Sequence, residues 1–333
     1  MILDTGIEHL HAIELPTPFP VGPVSVYLAD APGDPLTLID TGPLNPGTAA
    51  ALEAGLGRLG YVPSNLERIV VSHAHVDHFG LARDLADASG AEVWTHPWNV
   101  AAVGDFQRDR EQRLLFYAGL LIEAAVPLEV MQAVGTITGG MKAYSRPVAV
   151  EKTLDEGSTL RLAGRDWQVL HTPGHAAGLI CLHEPGSRTL LSSDHLLAGI
   201  SSNPVVEPPP PGETERPRSL VLYRESLRRV AAMEISLALP SHGPAIHDVA
   251  GLVAKRMAFH ERRLERVMDA LRAGAHTTWE VTDTLFPDRS PLDTFLAVSE
   301  VVGHLDVLEI ERKIIAERRG GVVAWKLVPE SVR

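Results

Sequence analysis

A single cysteine, Cys181, stands in 333 residues. It has no partner for an internal disulfide and leaves no thiolate cluster to hold a metal. No apolar run approaches the roughly 20 residues of a membrane span, so no membrane is expected among the partners. The first residues, Met1-Ile-Leu-Asp-Thr-Gly, lack the basic head and apolar stretch of a secretory signal, and a cytoplasmic location is the expectation. A basic surplus is also missing. The net charge is −12, with 29 acidic against 17 basic side chains in residues 1–250 and 13 of each in residues 251–333. An acidic main body repels polyanions, which argues against nucleic-acid binding over the whole surface.

What the chain does have is a 45% hydrophobic content, enough for one sizeable core and a second, smaller domain. Between residues 20 and 250, Val-, Ile- and Leu-rich runs bounded by Gly, Pro, Asp or Asn read as strands: 24–29, 36–40, 68–73, 91–96, 160–172, 178–184, 189–194 and 235–242. Helices are expected near 47–58, 78–88 and 218–232. That mixture predicts an α/β class in which helices cover sheet layers. Two segments break the rhythm: a helical stretch over about 97–147, and residues 198–217, where four consecutive prolines from Pro208 to Pro211 exclude regular structure. Both follow strand ends, where they can wall a cleft. After His242 the pattern changes to a long helix over 247–273, a short helix stopped by Pro287, one or two further helices, and two strands around Gly320-Gly321. Three helices and a hairpin make a winged-helix pattern, so the expected domains are 1–250 and 251–333.

The chemistry concentrates in "HAHVDH", residues 73–78. His73 and His75 are two apart and point the same way on an extended segment, while Asp77 and His78 fall where the chain turns into a helix. Imidazole and carboxylate suit zinc and related divalent ions. Four such groups do not complete two metal shells. Further His and Asp residues terminate later apolar strands: His175 in "TPGH", Asp194 after "TLLSS" and His242 in "PSHGP". Strand ends are where open sheets place binding sites.

This ordered set, with "DTG" at 40–42, resembles the metallo-β-lactamase superfamily over roughly residues 10–250. The resemblance implies an αββα sandwich with a metal site at one edge of the two sheets. It implies that one metal takes His73, His75 and His175, that a second takes Asp77, His78 and His242, and that Asp194 bridges both. Asp40 is then a residue behind the ligands that orients one of the histidines. The C-terminal pattern is similar to the subgroup that includes the lactamase-like endoribonuclease of animals and its bacterial relatives. Two divalent ions are implied, zinc first, with manganese or iron the alternatives. Such a pair lowers the pKa of a bridging water, and the hydroxide formed is the nucleophile. Asp77 is the residue expected to accept or relay a proton.

That machinery is indifferent to the leaving group, so absences guide the choice. The tail is not the all-helical one of glyoxalase II. The tyrosine that quorum-signal lactonases place three residues after the bridging aspartate is Leu197 here. The leading expectation is a small ester, thioester or lactone. The alternative is an endoribonuclease or phosphodiesterase that uses Arg312, Lys313, Arg318, Arg319 and Lys326 of the tail. A further alternative is a mono-iron persulfide dioxygenase. The tail otherwise packs on the main body or forms a homodimer contact. His195 is left outside the metal set. His96 and His171 are candidates for supporting the ligands, and Tyr117, Tyr144 and Tyr223 are candidate oxyanion donors.

Overall fold

The computed structural model describes residues 1–104 and 106–329. In chain order it contains β1 (Ile2–Asp4), β2 (Leu10–Leu15), β3 (Val24–Ala29), β4 (Thr37–Ile39), α1 (Pro46–Arg58), β5 (Arg68–Val71), α2 (Val76–Phe79) and α3 (Ala82–Ser89). Next come β6 (Glu92–Thr95), α4 (Val100–Gly104), α5 (Phe106–Glu123), α6 (Leu128–Gly140), β7 (Lys152–Thr153), β8 (Thr159–Leu162), β9 (Arg165–His171), β10 (Ile180–Glu184) and β11 (Thr189–Ser193). The chain continues with α7 (Ser219–Ala231), β12 (Leu237–Pro240), α8 (Val249–Arg272), α9 (Thr278–Leu285), α10 (Pro291–Ile310), β13 (Ile314–Arg319) and β14 (Val322–Leu327).

Two mixed sheets carry the main body. One has the order β1-β2-β3-β4-β5-β6-β7, the other β12-β11-β10-β9-β8. Leu10, Tyr27, Ile39 and Val70 from the first meet Trp167, Val169, Ile180 and Leu191 from the second in one buried cluster, which is the layer between the sheets. On the outer face of the first sheet, Ile13, Val26 and Ile69 pack with Leu52 and Leu56 of α1 and Leu85 of α3. On the outer face of the second, Cys181, Leu190 and Ala238 pack with Leu220 and Leu227 of α7. The result is helix, sheet, sheet, helix. Strands β3, β5, β10 and β11 are buried at every position, which explains their continuous Val, Ile and Leu runs.

The parallel pairs position the site. In β4–β5, Ile39 lies opposite Val70, so Asp40 and Ser72-His73 emerge side by side. In β11–β12, Ser193 lies opposite Pro240, so Asp194 and His242 emerge together. The sheets are stitched at this same end, where Ile180 N–H donates to Ser72 O (3.0 Å) and Ser25 N–H donates to Ser241 O (2.7 Å). Four chain segments therefore deliver their polar ends to one edge of the sandwich.

Some boundaries differ from the expectations. The single helix over 78–88 is two, because Leu81 N–H leaves the helical ladder and donates to Gly42 O (3.1 Å). Gly80 between them is held close: a Cβ there would lie 2.3 Å from Tyr144 O and 2.4 Å from Leu44 N. The single strand over 160–172 is a hairpin, β8–β9, turned at Ala163-Gly164 with φ of 51° and 72°. His73 and His75 lie just past the end of β5 rather than on a strand. β1, β2 and β7 belong to no expected strand.

Beyond His242 the order is three helices and the β13–β14 hairpin, as the pattern suggested, with α10 one continuous helix. Gly320 and Gly321 turn the hairpin with φ of 58° and 87°. α9 opens with a capping box in which Thr277 and Glu280 satisfy each other's backbone N–H groups. Its packing is not separate. One buried cluster runs from Leu179 and Leu190 through Leu220 to Val267 and Leu305. The helical insertion joins the same wall: Leu120, Leu121 and Val126 pack with Val298 and Val302 of α10, and Trp279 N–H donates to Ala124 O (2.9 Å). Among the described residues no helix is long and apolar enough to cross a membrane.

Candidate metal centre

The seven expected ligand residues come together at the sheet edge. His73 Nε2 and His175 Nε2 each lie 3.0 Å from His75 Nδ1. Asp77, His78 and His242 form a second group, with His242 Nε2 3.5 Å from Asp77 Oδ2 and His78 Nε2 3.8 Å from Asp77 Oδ1. Asp194 stands between them. Its Oδ2 is 3.4 Å from His175 Nε2 and 3.7 Å from His78 Nε2, and its Oδ1 is 3.8 Å from His242 Nε2. Each of the groups His73–His75–His175, His73–His78–Asp194 and Asp77–His78–His242 offers ligand atoms within 4.8 Å of one another.

Outer contacts settle which ring nitrogen faces inward. His78 Nδ1–H donates to Asp40 Oδ2 (2.8 Å). His175 Nδ1–H donates to Asn203 O (3.0 Å), and His242 Nδ1–H donates to Pro23 O (2.8 Å). Ser72 donates its N–H to Asp40 Oδ1 (2.8 Å) and its hydroxyl to Asp40 Oδ2 (2.7 Å), leaving Ser72 Oγ to accept from His73 Nδ1–H (3.1 Å). With Nδ1 protonated outward, Nε2 of His73, His78, His175 and His242 presents a lone pair to the centre.

This arrangement fits cations. His78 Nε2, His242 Nε2 and Asp194 Oδ1 are buried without a hydrogen-bond partner, a costly state for polar atoms in a protein interior. In the three-histidine group one proton on His75 Nδ1 serves at most one of the two 3.0 Å contacts well, so at least one of the two nitrogen pairs lacks a good hydrogen bond. Charge points the same way. Burial, then the neighbouring imidazoles, hold His73 well below the usual range, and burial followed by His75 pushes His175 down to about 4. Both are therefore neutral donors at pH 7. Burial opposes charge on His78 too, yet Asp77, Asp194 and Asp40 outweigh it and hold His78 well above its ordinary value. Burial raises the Asp77 carboxyl, but His78 and the contact with His242 bring it down to about 2. The carboxylates call for positive charge, which divalent cations supply.

Comparison with known proteins agrees with this geometry. The family model of the metallo-beta-lactamase superfamily matches residues 19–242. The chain belongs to the metallo-β-lactamase superfamily. It is 37% identical over 320 residues to the probable metallo-hydrolase YqjP of Bacillus subtilis, covering 96% of this chain and 98% of that one. The metallo-beta-lactamase family protein TTHA1429 of Thermus thermophilus superposes with a TM-score of 0.80 at 25% identity, covering 96% and 99% of the two chains. An atrochrysone carboxyl ACP thioesterase of Emericella nidulans is 24% identical over 54% of this chain and 55% of its own. The chain is thus a metal-dependent hydrolase by family.

Around the metallo-β-lactamase site, the other candidate residues divide. His195 is fully buried with its ring edge-on to Tyr223 and neither ring nitrogen partnered. His96 and His171 stack on each other at 4.0 Å with Trp98 edge-on to both, and bond no ligand. Tyr223 donates its hydroxyl to His195 O (3.1 Å), and Tyr117 packs on Phe116 and Phe295. Tyr144 lies beside α2, its ring edge-on to Phe19. Gly174 of the "TPGH" turn has φ of 142°, and a Cβ there would lie 2.5 Å from Tyr223 Cα, so this turn admits only glycine against α7.

Sequence reasoning missed Glu207. It is buried, pairs with Arg113 of α5 (3.0 Å) and accepts from Ala177 N–H, two residues past His175. Burial raises its pKa, but Arg113 and His75 outweigh that and lower it. Its only signal was an isolated glutamate between Val205-Val206 and the four prolines. Glu207, Arg113, Trp98, Ala177 and Pro208–Pro211 line a cavity of about 270 Å³, whose wall at Ala177 is two residues past His175 in the chain. Both interrupting segments therefore wall a cleft.

Replacing Asp40 with asparagine removes the charge behind His78. Loss of such an outer partner is expected to weaken metal affinity about 10- to 100-fold, measured by competition with a chelator. Unchanged affinity would show that Asp40 only supports the fold.

Proposed function

We propose that the chain is a dinuclear metal-dependent hydrolase of a small ester, thioester or lactone. The observation that carries this is the convergence of seven side chains of metal-ligating type, of which His78 Nε2, His242 Nε2 and Asp194 Oδ1 are buried with no hydrogen-bond partner. His73, His75 and His175 would hold one ion, Asp77, His78 and His242 the other, and Asp194 would touch both. Two divalent cations, zinc first, supply polarisation of the substrate oxygen and a nucleophilic water at neutral pH. The chain's own part is positional and protonic. Asp77, held as a carboxylate, accepts a proton from the attacking water as the new carbon–oxygen bond forms, and returns it to the leaving oxygen or sulfur as that bond breaks. The cavity walled by Trp98 and the prolines seats the organic part of the substrate and limits water access.

Several features support a small substrate over a polynucleotide. The tail has the order of three helices and a hairpin, but four of its five expected cations, all except Arg312, have acidic partners among the described residues. Lys313 pairs with Glu311 (2.7 Å), Arg319 and Lys326 pair with Glu317, and Arg318 pairs with Glu123 of the insertion. A fungal relative is named as a thioesterase. The test is a panel of acyl thioesters, aryl esters, lactones and single-stranded RNA, with zinc-loaded and chelated enzyme. Zinc-dependent turnover of a carbonyl substrate and no RNA cleavage is expected. RNA cleavage with no carbonyl turnover would establish the nuclease reading instead.

A further inference from the structure

We propose that the C-terminal helices clamp the strap of residues 197–207 and thereby set the position of His175; this inference rests on the metal-centre reading above. The strap follows Asp194 and runs to the proline segment without regular structure. It holds His175 at several points. His175 Nδ1 donates to Asn203 O (3.0 Å) and lies 2.9 Å from Ser202 Oγ, and Val205 N–H donates to His175 O (3.4 Å). At its far end Glu207 accepts from Ala177 N–H. A segment with no ladder of its own needs partners elsewhere to keep one shape.

Those partners come from α8 and α10. Arg256 of α8 directs Nη2 at three strap carbonyls, Leu197 O (2.9 Å), Ala198 O (3.2 Å) and Ile200 O (2.7 Å). A charged guanidinium nitrogen, with two hydrogens to share among neighbouring carbonyl oxygens, suits this convergence. From α10, Ser299 Oγ accepts from Val206 N–H (3.2 Å), and Leu296 O accepts from Asn203 Nδ2 (3.3 Å). Val206 is fully buried against Val298 and Val302. Asn203 is thus held from both sides, and the other strap residues gripped by the C-terminal helices, Leu197, Ala198, Ile200 and Val206, flank those that touch His175 and Ala177. Arg256 touches no ligand; it is a positioning residue, and the C-terminal segment is part of the metal centre's support.

The test measures zinc affinity of the full chain by competition with a chromophoric chelator. It compares wild type, Arg256→Gln, Arg256→Lys and Ser299→Ala. Arg272→Gln serves as control, since Arg272 is exposed on the same helix and bonds Asp269. Arg256→Gln is expected to weaken one of two ions by about 10- to 100-fold, Ser299→Ala to do so less, and Arg256→Lys to recover part of the loss. Arg272→Gln should match wild type. A folded Arg256→Gln chain with wild-type affinity for both ions overturns the clamp. If that variant does not fold, wild-type affinity in Ser299→Ala overturns it. A wild-type chain that binds no zinc overturns the metal-centre reading and the clamp with it, so the two failures are told apart.

Discussion

Asp194→Asn is expected to lower zinc-dependent turnover about 10³-fold, roughly 4 kcal/mol of transition-state stabilisation. Among the described residues, Asp194 is the one carboxylate with oxygens within 4 Å of inward nitrogens from both groups: His175, His78 and His242. Asparagine keeps its shape and one oxygen but carries no charge, so the loss reports electrostatics rather than packing. The structure also makes Asp194 necessary as an anion. Burial raises its carboxyl, yet His78 and His175 outweigh burial and hold it well below the usual carboxylate range. Metal content should fall below two ions per chain while the melting temperature of the apo-protein changes little or rises. Asp166→Asn, on the open face of β9, is the control and should leave both unchanged. Turnover within threefold of wild type for Asp194→Asn would remove Asp194 from the chemistry.

Trp167→Ala is expected to cost about 3–5 kcal/mol of stability, the range for emptying a large buried side chain. Trp167 is 0% exposed and sits in the layer between the sheets, where both sheets lean on it. Its indole N–H donates to Leu162 O (3.0 Å) across the β8–β9 turn, so truncation loses a buried hydrogen bond as well as volume. Urea unfolding followed by circular dichroism measures it, with zinc removed so that metal binding does not add to stability. The variant, where folded, should bind zinc as wild type does, because β9 reaches the site only through its far end, beyond His171. A loss under 1 kcal/mol would mean that the two sheets do not depend on this layer for their association.

Much of the candidate site was legible because the residues that converge there lie at strand ends, where an apolar run stops on a single polar residue. His73, His75, Asp77 and His78 are neighbours in the chain, and His175, Asp194 and His242 each follow a recognisable β-run. What holds those ligands was less visible. Asp40 sits at φ of 58° and was found through "DTG" alone. Asn203 and Pro23 act through backbone carbonyls, which carry no residue-type signature, and Ser72 acts through a small hydroxyl common anywhere. Glu207 and Arg256 depend on segments packed from more than 50 residues away, a distance over which periodicity says nothing. The fold shows the same division. Strands buried on both faces were readable from composition, whereas β2, at the start of the first sheet, alternates only partly and belonged to no expected strand. Turn chemistry decided the rest: Ala163-Gly164 splits one apparent strand into a hairpin.

The most direct test of the central claim is anomalous diffraction at the zinc edge from crystals of the zinc-loaded chain. Two peaks are predicted. One lies among the inward nitrogens of His73, His75 and His175, the other among those of His78 and His242 with Asp77, and both are in contact with Asp194. A single peak confined to the three histidines, or no peak at this sheet edge, would contradict a dinuclear centre.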